Sequence, residues 1–372
     1  MSGGRPTAAY IDLKALDHNL GEVRAKAGGR KVMAVVKADA YGHGAAEVAR
    51  RLEARGVEMF GVALVEEGAK LREAGIMSPI LVLGGVFERQ AQDLLDLDLT
   101  PTVFTTAQAE AFSEAAVKSG KTLPVHFKVD TGMGRLGMQP EDAAGFITKV
   151  GRLPGLSCEG IMTHLSDVGG ADSSFAEYQV GRFRWVMQNL EEAGIAFPLV
   201  HAAGSAAIID FSPALFNMVR PGIMLYGCYP EERMRTTLDL MPVMSFRTKV
   251  MHLKAMEKGR PVSYGRTFVT HRPSIVATLP VGYADGFDRG LSNKGSVLIG
   301  GRRCPVLGRV CMDLTMVDVT ELDEVKVGDE AVIIGRQGNE SITAEEVAGL
   351  LDTISYEVLC GVSARVPREY IY

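Results

Sequence analysis

The stretch KVMAVVK at residues 31–37 sets five apolar residues between two lysines, a run too short for a helix and without the alternation of a strand with one wet face. It reads as a strand buried in a parallel sheet, and the chain repeats it. MFGVAL (59–64), PILVLG (79–84), TPTVF (100–104), VHFKVD (125–130), EGIMTHL (159–165), PLVHAA (198–203) and MVRPGIMLYG (218–227) follow, making eight such runs. Between them lie amphipathic patterns such as GAAEVARRLEARG (44–56), EEGAKLREAG (66–75), AQAEAFSEAAVKSG (107–120) and SSFAEYQVGRFRWVMQNLEEAG (173–194), with apolar residues three and four apart among charges. Eight strand–helix units predict an α/β fold, a (β/α)8 TIM-like barrel, with a doubly wound open sheet as the competitor because periodicity alone does not show closure.

Beyond about residue 240 the texture turns to β-rich alternation, in FRTKVMHLKAM (246–256), SIVATLPVGYA (274–284), GSVLIGGRRCPVLGRVCMDLTMVDV (295–319) and DEAVIIG (329–335). Only TAEEVAGLLDTI (343–354) reads there as a helix, with Thr343 and Glu346 spaced as a capping box. A barrel over residues 1–240 and a mainly-β domain over 241–372 are expected, residues 1–13 being free to pair with either. The 372 residues, 47% hydrophobic and 23% charged, exclude a disordered chain, and a net charge of −5 gives no electrostatic footprint for nucleic acid or an anionic membrane. Cys158, Cys228, Cys304, Cys311 and Cys360 are widely spaced and odd in number, against a disulfide framework or a metal site. No apolar run reaches the roughly 18 residues of a membrane span, and the start MSGGRPTAAYIDL lacks a basic segment followed by an apolar one, so cytoplasmic residence is the expectation.

In a (β/α)8 barrel the reactive groups gather where strands end, so polar residues at strand ends carry the chemistry. Lys37 closes the first strand, where burial eases proton loss and suits a Schiff-base lysine. The fifth brings Lys128, Asp130 and Arg135 in KVDTGMGRLG, the sixth His164, the seventh Ser205 in HAAGSAA, and the eighth Arg220 in an apolar context that demands a partner. An imine-forming lysine, an anion cradle and an arginine in one pocket point to pyridoxal 5′-phosphate.

AVVKADAYGHG, KVDTGMGRLG, THLSD, VRPGIMLYG, VSYGRTF, PVGYADG, GRVCMD and TISYEVLC, in that order, resemble the motifs of bacterial alanine racemases, the fold-type III pyridoxal-phosphate enzymes, nearly end to end. The resemblance implies that L- and D-alanine are interconverted by a two-base mechanism on the cofactor aldimine, supplying D-alanine for peptidoglycan. It makes Lys37 the Schiff-base lysine and the base for the D-enantiomer, and Tyr264 the base on the L face, with Arg266 or the His164–Arg220 pair as cations that favour its phenolate. Arg220 faces the pyridine nitrogen and keeps it unprotonated, a weaker electron sink that favours racemisation over transamination. His164 bonds this arginine; Tyr41, Ser205, Gly222, Ile223 and Tyr356 hold the phosphate, Gly222 and Ile223 through backbone N–H groups. Arg135, Met312, Tyr283 and Lys128 belong to the substrate site, Lys128 matching a lysine that is carbamylated in many relatives. Tyr264, Tyr283 and Met312 are expected to serve the partner's barrel in a head-to-tail homodimer with shared active sites. One residue departs from the pattern: Gly204 stands where HAANSA is usual. The alternatives are a racemase of another small amino acid such as serine, or a non-catalytic pyridoxal-phosphate-binding protein, a family without a β domain. A decarboxylase of related architecture would place an acid where Arg220 stands.

Overall fold

A computed structural model describes residues 4–168 and 172–372. By its internal contacts the chain forms two compact units, one of residues 17–40 and 45–240, the other of residues 1–16, 41–44 and 241–372.

The first strand, β1 (Ala8–Asp12), belongs to the second unit. The first unit is a closed barrel of eight parallel strands, β2 (Lys31–Val35), β3 (Met59–Val62), β4 (Ile80–Val82), β5 (Thr100–Val103), β6 (Leu123–Lys128), β7 (Leu156–Met162), β8 (Leu199–His201) and β9 (Met218–Val219). Closure, which the sequence pattern leaves open, lies in the pairing of β9 with β2, Lys31 against Met218 and Val32 against Val219. The barrel is filled by Met33, Met59, Leu81, Met162, Leu199 and Met218. Four of these six are methionines, whose unbranched thioethers fit an irregular interior. MVRPGIMLYG forms less strand than its apolar character predicts. Pro221 lacks a ladder N–H and Gly222 turns the chain, so β9 stops at Val219 and the helical turn Ile223–Tyr226 follows.

The second unit is built on β10 (Met244–Lys249), β11 (His252–Met256), β12 (Pro261–Val262), β13 (Phe268–Val269), β14 (Ser274–Leu279), β15 (Ser296–Ile299), β16 (Arg302–Pro305), β17 (Thr315–Asp318), β18 (Glu330–Gln337), β19 (Glu340–Ile342) and β20 (Arg368–Ile371). Its main sheet runs β16-β15-β18-β10-β1-β20, with β19 beside β18; a second sheet runs β11-β14-β17. The N-terminal AAYID therefore pairs here, antiparallel to β10 and parallel to β20. Thr343 caps the helix Ala344–Leu351 by accepting the Glu346 N–H. A second helix, Ser355–Gly361, carries the TISYEVLC motif, and its few polar positions hid it from the sequence reading. All five cysteines are free thiols.

Residues 41–44 join the second unit because two glycines there let other segments approach. A Cβ on Gly42 would lie 2.4 Å from the Leu359 carbonyl oxygen, and one on Gly44 would strike the Tyr370 hydroxyl. Arg368 Nε donates to the Gly42 carbonyl.

Candidate active site

Lys37 follows β2 by two residues and opens an unusual turn. Ala38, Asp39, Ala40 and Tyr41 have φ of 51°, 54°, 54° and 53°, a complete left-handed turn made without glycine. Each such residue costs about 1–2 kcal/mol, so the turn persists only where its surroundings hold it. Glu67 accepts the Ala38 N–H, Asp39 accepts that of Ala45, and the Val36 carbonyl accepts that of Ala40. Strain of this kind gathers at functional sites, and here it directly follows the lysine.

Arg220 sits just beyond β9 and is buried. Its Nη2 donates to the Thr163 and Ala202 carbonyls, both at 2.9 Å, and to His164 Nδ1 at 3.3 Å; its Nη1 donates to His201 Nδ1 at 2.9 Å. Its Nε has no acceptor among the described residues. Burial pulls its pKa down to about 10, which leaves it charged at neutral pH. Sequence reasoning gave the arginine one holder, His164; His201 is the nearer one. The signal was present, since an imidazole inside the apolar PLVHAA must find a partner.

The cations converge. Burial and then the charges of Arg220 and Arg135 bring the Lys128 ammonium down to about 8, Lys37 adding a smaller push and Asp130 opposing. Burial, followed by Arg220, Arg135, Lys128 and Lys37, drives His164 down to about 3. Four cationic side chains thus act on one neutral histidine and on one another, an electrostatic environment that favours an anion. Arg135 is carried on a loop that Asp130 shapes, its Oδ1 accepting the N–H groups of Gly132 and Gly134. Gly137 must be glycine there: its φ is 128°, and a Cβ would lie 2.7 Å from the Asp130 nitrogen.

Ser205 is buried, and its Oγ accepts the Gly222 N–H at 2.9 Å and the Met224 N–H at 3.4 Å. Both lone pairs are then used, so the hydroxyl proton is left to donate. The Gly222 amide, expected to meet a phosphate directly, is bonded to Ser205; the Ile223 N–H has no acceptor among the described residues. The absent side chain at Gly204 leaves the space beside His164 open, where a Cβ would sit 3.5 Å from the imidazole.

In the other unit, the Tyr41 and Tyr356 rings lie 5.9 Å apart in tilted contact. Tyr264, Tyr283 and Met312 are exposed, at 71%, 41% and 53%. Tyr283 and Met312 are held against one another through the backbone, with Tyr283 N–H donating to Cys311 and Ala284 N–H to Met312. A Cβ on Gly282 would fall 2.3 Å from the Cys311 oxygen, so only glycine permits that approach. Asp285, fully buried, anchors the pair by accepting from Arg5, Arg365 and the Gly282 N–H. Burial pushes its carboxyl up, but these hydrogen bonds outweigh that and hold it below the usual range. Among the described residues no group of His, Cys, Asp and Glu could hold a metal ion, and no helix is long and apolar enough to cross a membrane.

This arrangement has close counterparts. Residues 11–230 match the family model of the alanine racemase N-terminal domain, and residues 243–370 that of the C-terminal domain. An alanine racemase of Halothermothrix orenii is 48% identical over 98% of this chain and 97% of its own, and alanine racemase 2 of Caldanaerobacter subterraneus is 46% identical over 99% and 95%. Among solved structures, alanine racemase of Clostridium difficile superposes with a TM-score of 0.95 at 39% identity, covering 99% of this chain and 96% of that one. The Bacillus anthracis enzyme with bound L-Ala-P gives 0.94 at 35%, covering 100% and 96%. With both domains matched in order and relatives alike over nearly their whole length, this chain belongs to the alanine racemase family of isomerases.

Proposed function

We propose that the chain interconverts L- and D-alanine with pyridoxal 5′-phosphate as cofactor, using Lys37 and Tyr264 as its two acid/base groups. One observation carries the reading: a rigid, charged Arg220 whose Nε is left for an acceptor, set among Lys37, Lys128 and Arg135. The donor set fits the cofactor, with an amine for its aldehyde, a serine hydroxyl and the Ile223 amide for its phosphate, and Arg220 Nε for its ring nitrogen. When bound, pyridoxal 5′-phosphate supplies an electron-withdrawing ring that acidifies the Cα–H of an amino acid.

The protein's own contribution is to move protons and hold charge. Lys37 Nζ exchanges a proton with Cα on one face, and Tyr264 Oη exchanges one on the other. Arg135 and the Met312 N–H hold the substrate carboxylate, and Tyr283 narrows the space around a methyl side chain. Arg220, which keeps its own proton, would face the ring nitrogen of the bound cofactor as a donor and so would disfavour protonation there, tempering the electron withdrawal the cofactor supplies. Lys128, at about 8, has a neutral fraction near pH 7, which supports its carbamylation; carbon-13 NMR of protein equilibrated with labelled bicarbonate reads that directly.

The exposure of Tyr264, Tyr283 and Met312 supports a head-to-tail homodimer in which each β unit serves the partner's barrel. The biological role we assign is supply of D-alanine for peptidoglycan in the cytoplasm. The test is incubation with L-alanine in heavy water, following Cα deuteration by NMR and the D/L ratio by chiral chromatography. Deuteration with approach to an equal mixture is expected. Bound cofactor with neither exchange nor inversion would overturn the racemase reading.

A further inference from the structure

Arg220 stands at one end of a buried file of side chains to which the reaction assigns no role. Its Nη1 donates to His201 Nδ1 at 2.9 Å; a guanidinium has no lone pair to offer, so neutral His201 keeps its proton on Nε2. That Nε2 lies 2.9 Å from His126 Nδ1, which therefore accepts, and His126 keeps its own proton on Nε2. His126 Nε2 in turn lies 3.3 Å from Glu159 Oε2, and a carboxylate accepts. Every hydrogen bond in the file points the same way, from Arg220 to Glu159. Neither end allows reversal, because the arginine only donates and the ionised carboxylate only accepts.

The backbone is shaped around this file. Opposite β6, Val125 faces Cys158 while His126 faces Gly160, so Glu159 is the extra residue of a bulge in β7. A bulge re-aims a side chain, and here it brings an acid to His126. The next residue gives the imidazole room, since a Cβ on Gly160 would lie 2.5 Å from the His126 ring. Both histidines are wholly buried, and burial holds both below their usual range, so they are neutral. The His126 hydrogen bond, with Lys31 nearby, keeps Glu159 ionised.

We propose that Glu159 is a positioning residue for Arg220, acting through His126 and His201 to fix the tautomers that hold the guanidinium with its Nε toward the cofactor. This rests on the reading that Arg220 meets the pyridine nitrogen. The experiment is histidine ring nitrogen-15 NMR on cofactor-loaded protein, together with pyruvate released per racemisation turnover. In the natural sequence both rings are expected as single Nε2–H tautomers between about pH 6 and 9. Glu159→Leu should mix the tautomers and raise the pyruvate share roughly tenfold with the KM for alanine unchanged. Glu159→Gln, whose amide oxygen accepts the same N–H, should retain both properties.

A ring found as Nδ1–H or charged in the natural sequence overturns the proposal, as does a Glu159→Leu protein with an unchanged pyruvate share. Should Glu159→Leu fail to fold, the natural-sequence tautomers and Glu159→Gln decide. The ring signals need no turnover, so correct tautomers in a protein that does not racemise alanine would fault the proposed function and leave the relay standing.

Discussion

The two units handle their functional groups in opposite ways. In the barrel, Arg220, Lys128, His126, His201 and Ser205 are buried, and Arg220, the histidines and Ser205 are locked by one another or by backbone groups. In the β unit the buried polar effort goes into scaffolding, with Asp285 gripped by two arginines, while Tyr264, Tyr283 and Met312 stand exposed. Groups that hold a cofactor gain from desolvation, which strengthens every charge interaction around it. Groups delivered to another surface must remain accessible until they dock. The difference teaches that the barrel's polar groups are preorganised by burial and mutual hydrogen bonds, as the proposed cofactor site requires, whereas the β unit leaves Tyr264, Tyr283 and Met312 accessible, as the proposed docking to a partner requires.

The largest effect expected from breaking this contrast comes at the receptor's reactive amine. Lys37→Ala should cut racemisation by a factor on the order of 10⁴, the upper range for loss of a general acid–base group, and abolish the visible absorbance of bound cofactor. Steady-state kinetics and absorbance spectra check this together. Retention of either property would show that the barrel does not deliver its chemistry through this residue.

Next is the energetic cost of keeping the receptor neutral where it must be. His126, His164 and His201 are held below the ordinary 6.5, all three chiefly by burial. Below pH 6.5 the unfolded chain binds protons that the folded one refuses, so stability is full above that pH and falls with acid, by up to ~4 kcal/mol per pH unit for three sites. Asp285 works in the other range: its depressed carboxyl stabilises the β unit until the pH drops below about 4. Trp185, the single tryptophan, lies in the barrel helix Ser174–Glu192 and reports on that unit. Its fluorescence should show a urea midpoint that falls from pH 7 to 6 to 5, while amide exchange in β10 and β18 changes less. A midpoint flat across this range would mean that the histidines are not held neutral.

Much of this was legible beforehand, for reasons that differ by region. Apolar runs buried on both faces gave all eight barrel strands, because a covered parallel sheet accepts valine- and methionine-rich segments such as KVMAV without alternation. Strand-end polarity singled out Lys37, His164 and Arg220, of which the structure brings His164 and Arg220 into hydrogen-bond contact. Closure of the barrel was hidden, since it depends on a pairing of residues nearly 190 apart in sequence, Lys31 with Met218. So was the buried file from His201 to Glu159, because strand periodicity does not reveal a one-residue bulge or which imidazole nitrogen faces which neighbour. The left-handed turn at Ala38–Tyr41 was equally silent, as alanine carries no signature of positive φ.

A smaller effect is expected at the arginine. Arg220→Glu places an acid beside the ring nitrogen and removes the donor to His201, and should lower racemisation about 10²-fold, in the range for losing one preorganised charge donor, while raising the pyruvate formed per turnover. An unchanged ratio would separate the rigidity of this residue from control of the reaction's outcome.

The smallest effect is the most discriminating. Lys37→Ala removes the amine from the barrel and Tyr264→Phe removes the hydroxyl from the β unit, so each variant alone lacks one acid/base group at every site. If the β unit serves its partner, a mixed dimer carries one site with both defects and one site with neither. Random exchange of subunits makes half the dimers mixed, with one working site of two, and activity should return to roughly a quarter of the natural level, given closed two-fold symmetry. If each β unit instead serves its own barrel, every site keeps its defect and mixing restores nothing. The outward-facing tyrosine thereby becomes a measurement of which barrel it belongs to, made by kinetics alone and independent of how tightly the dimer holds once exchange is complete.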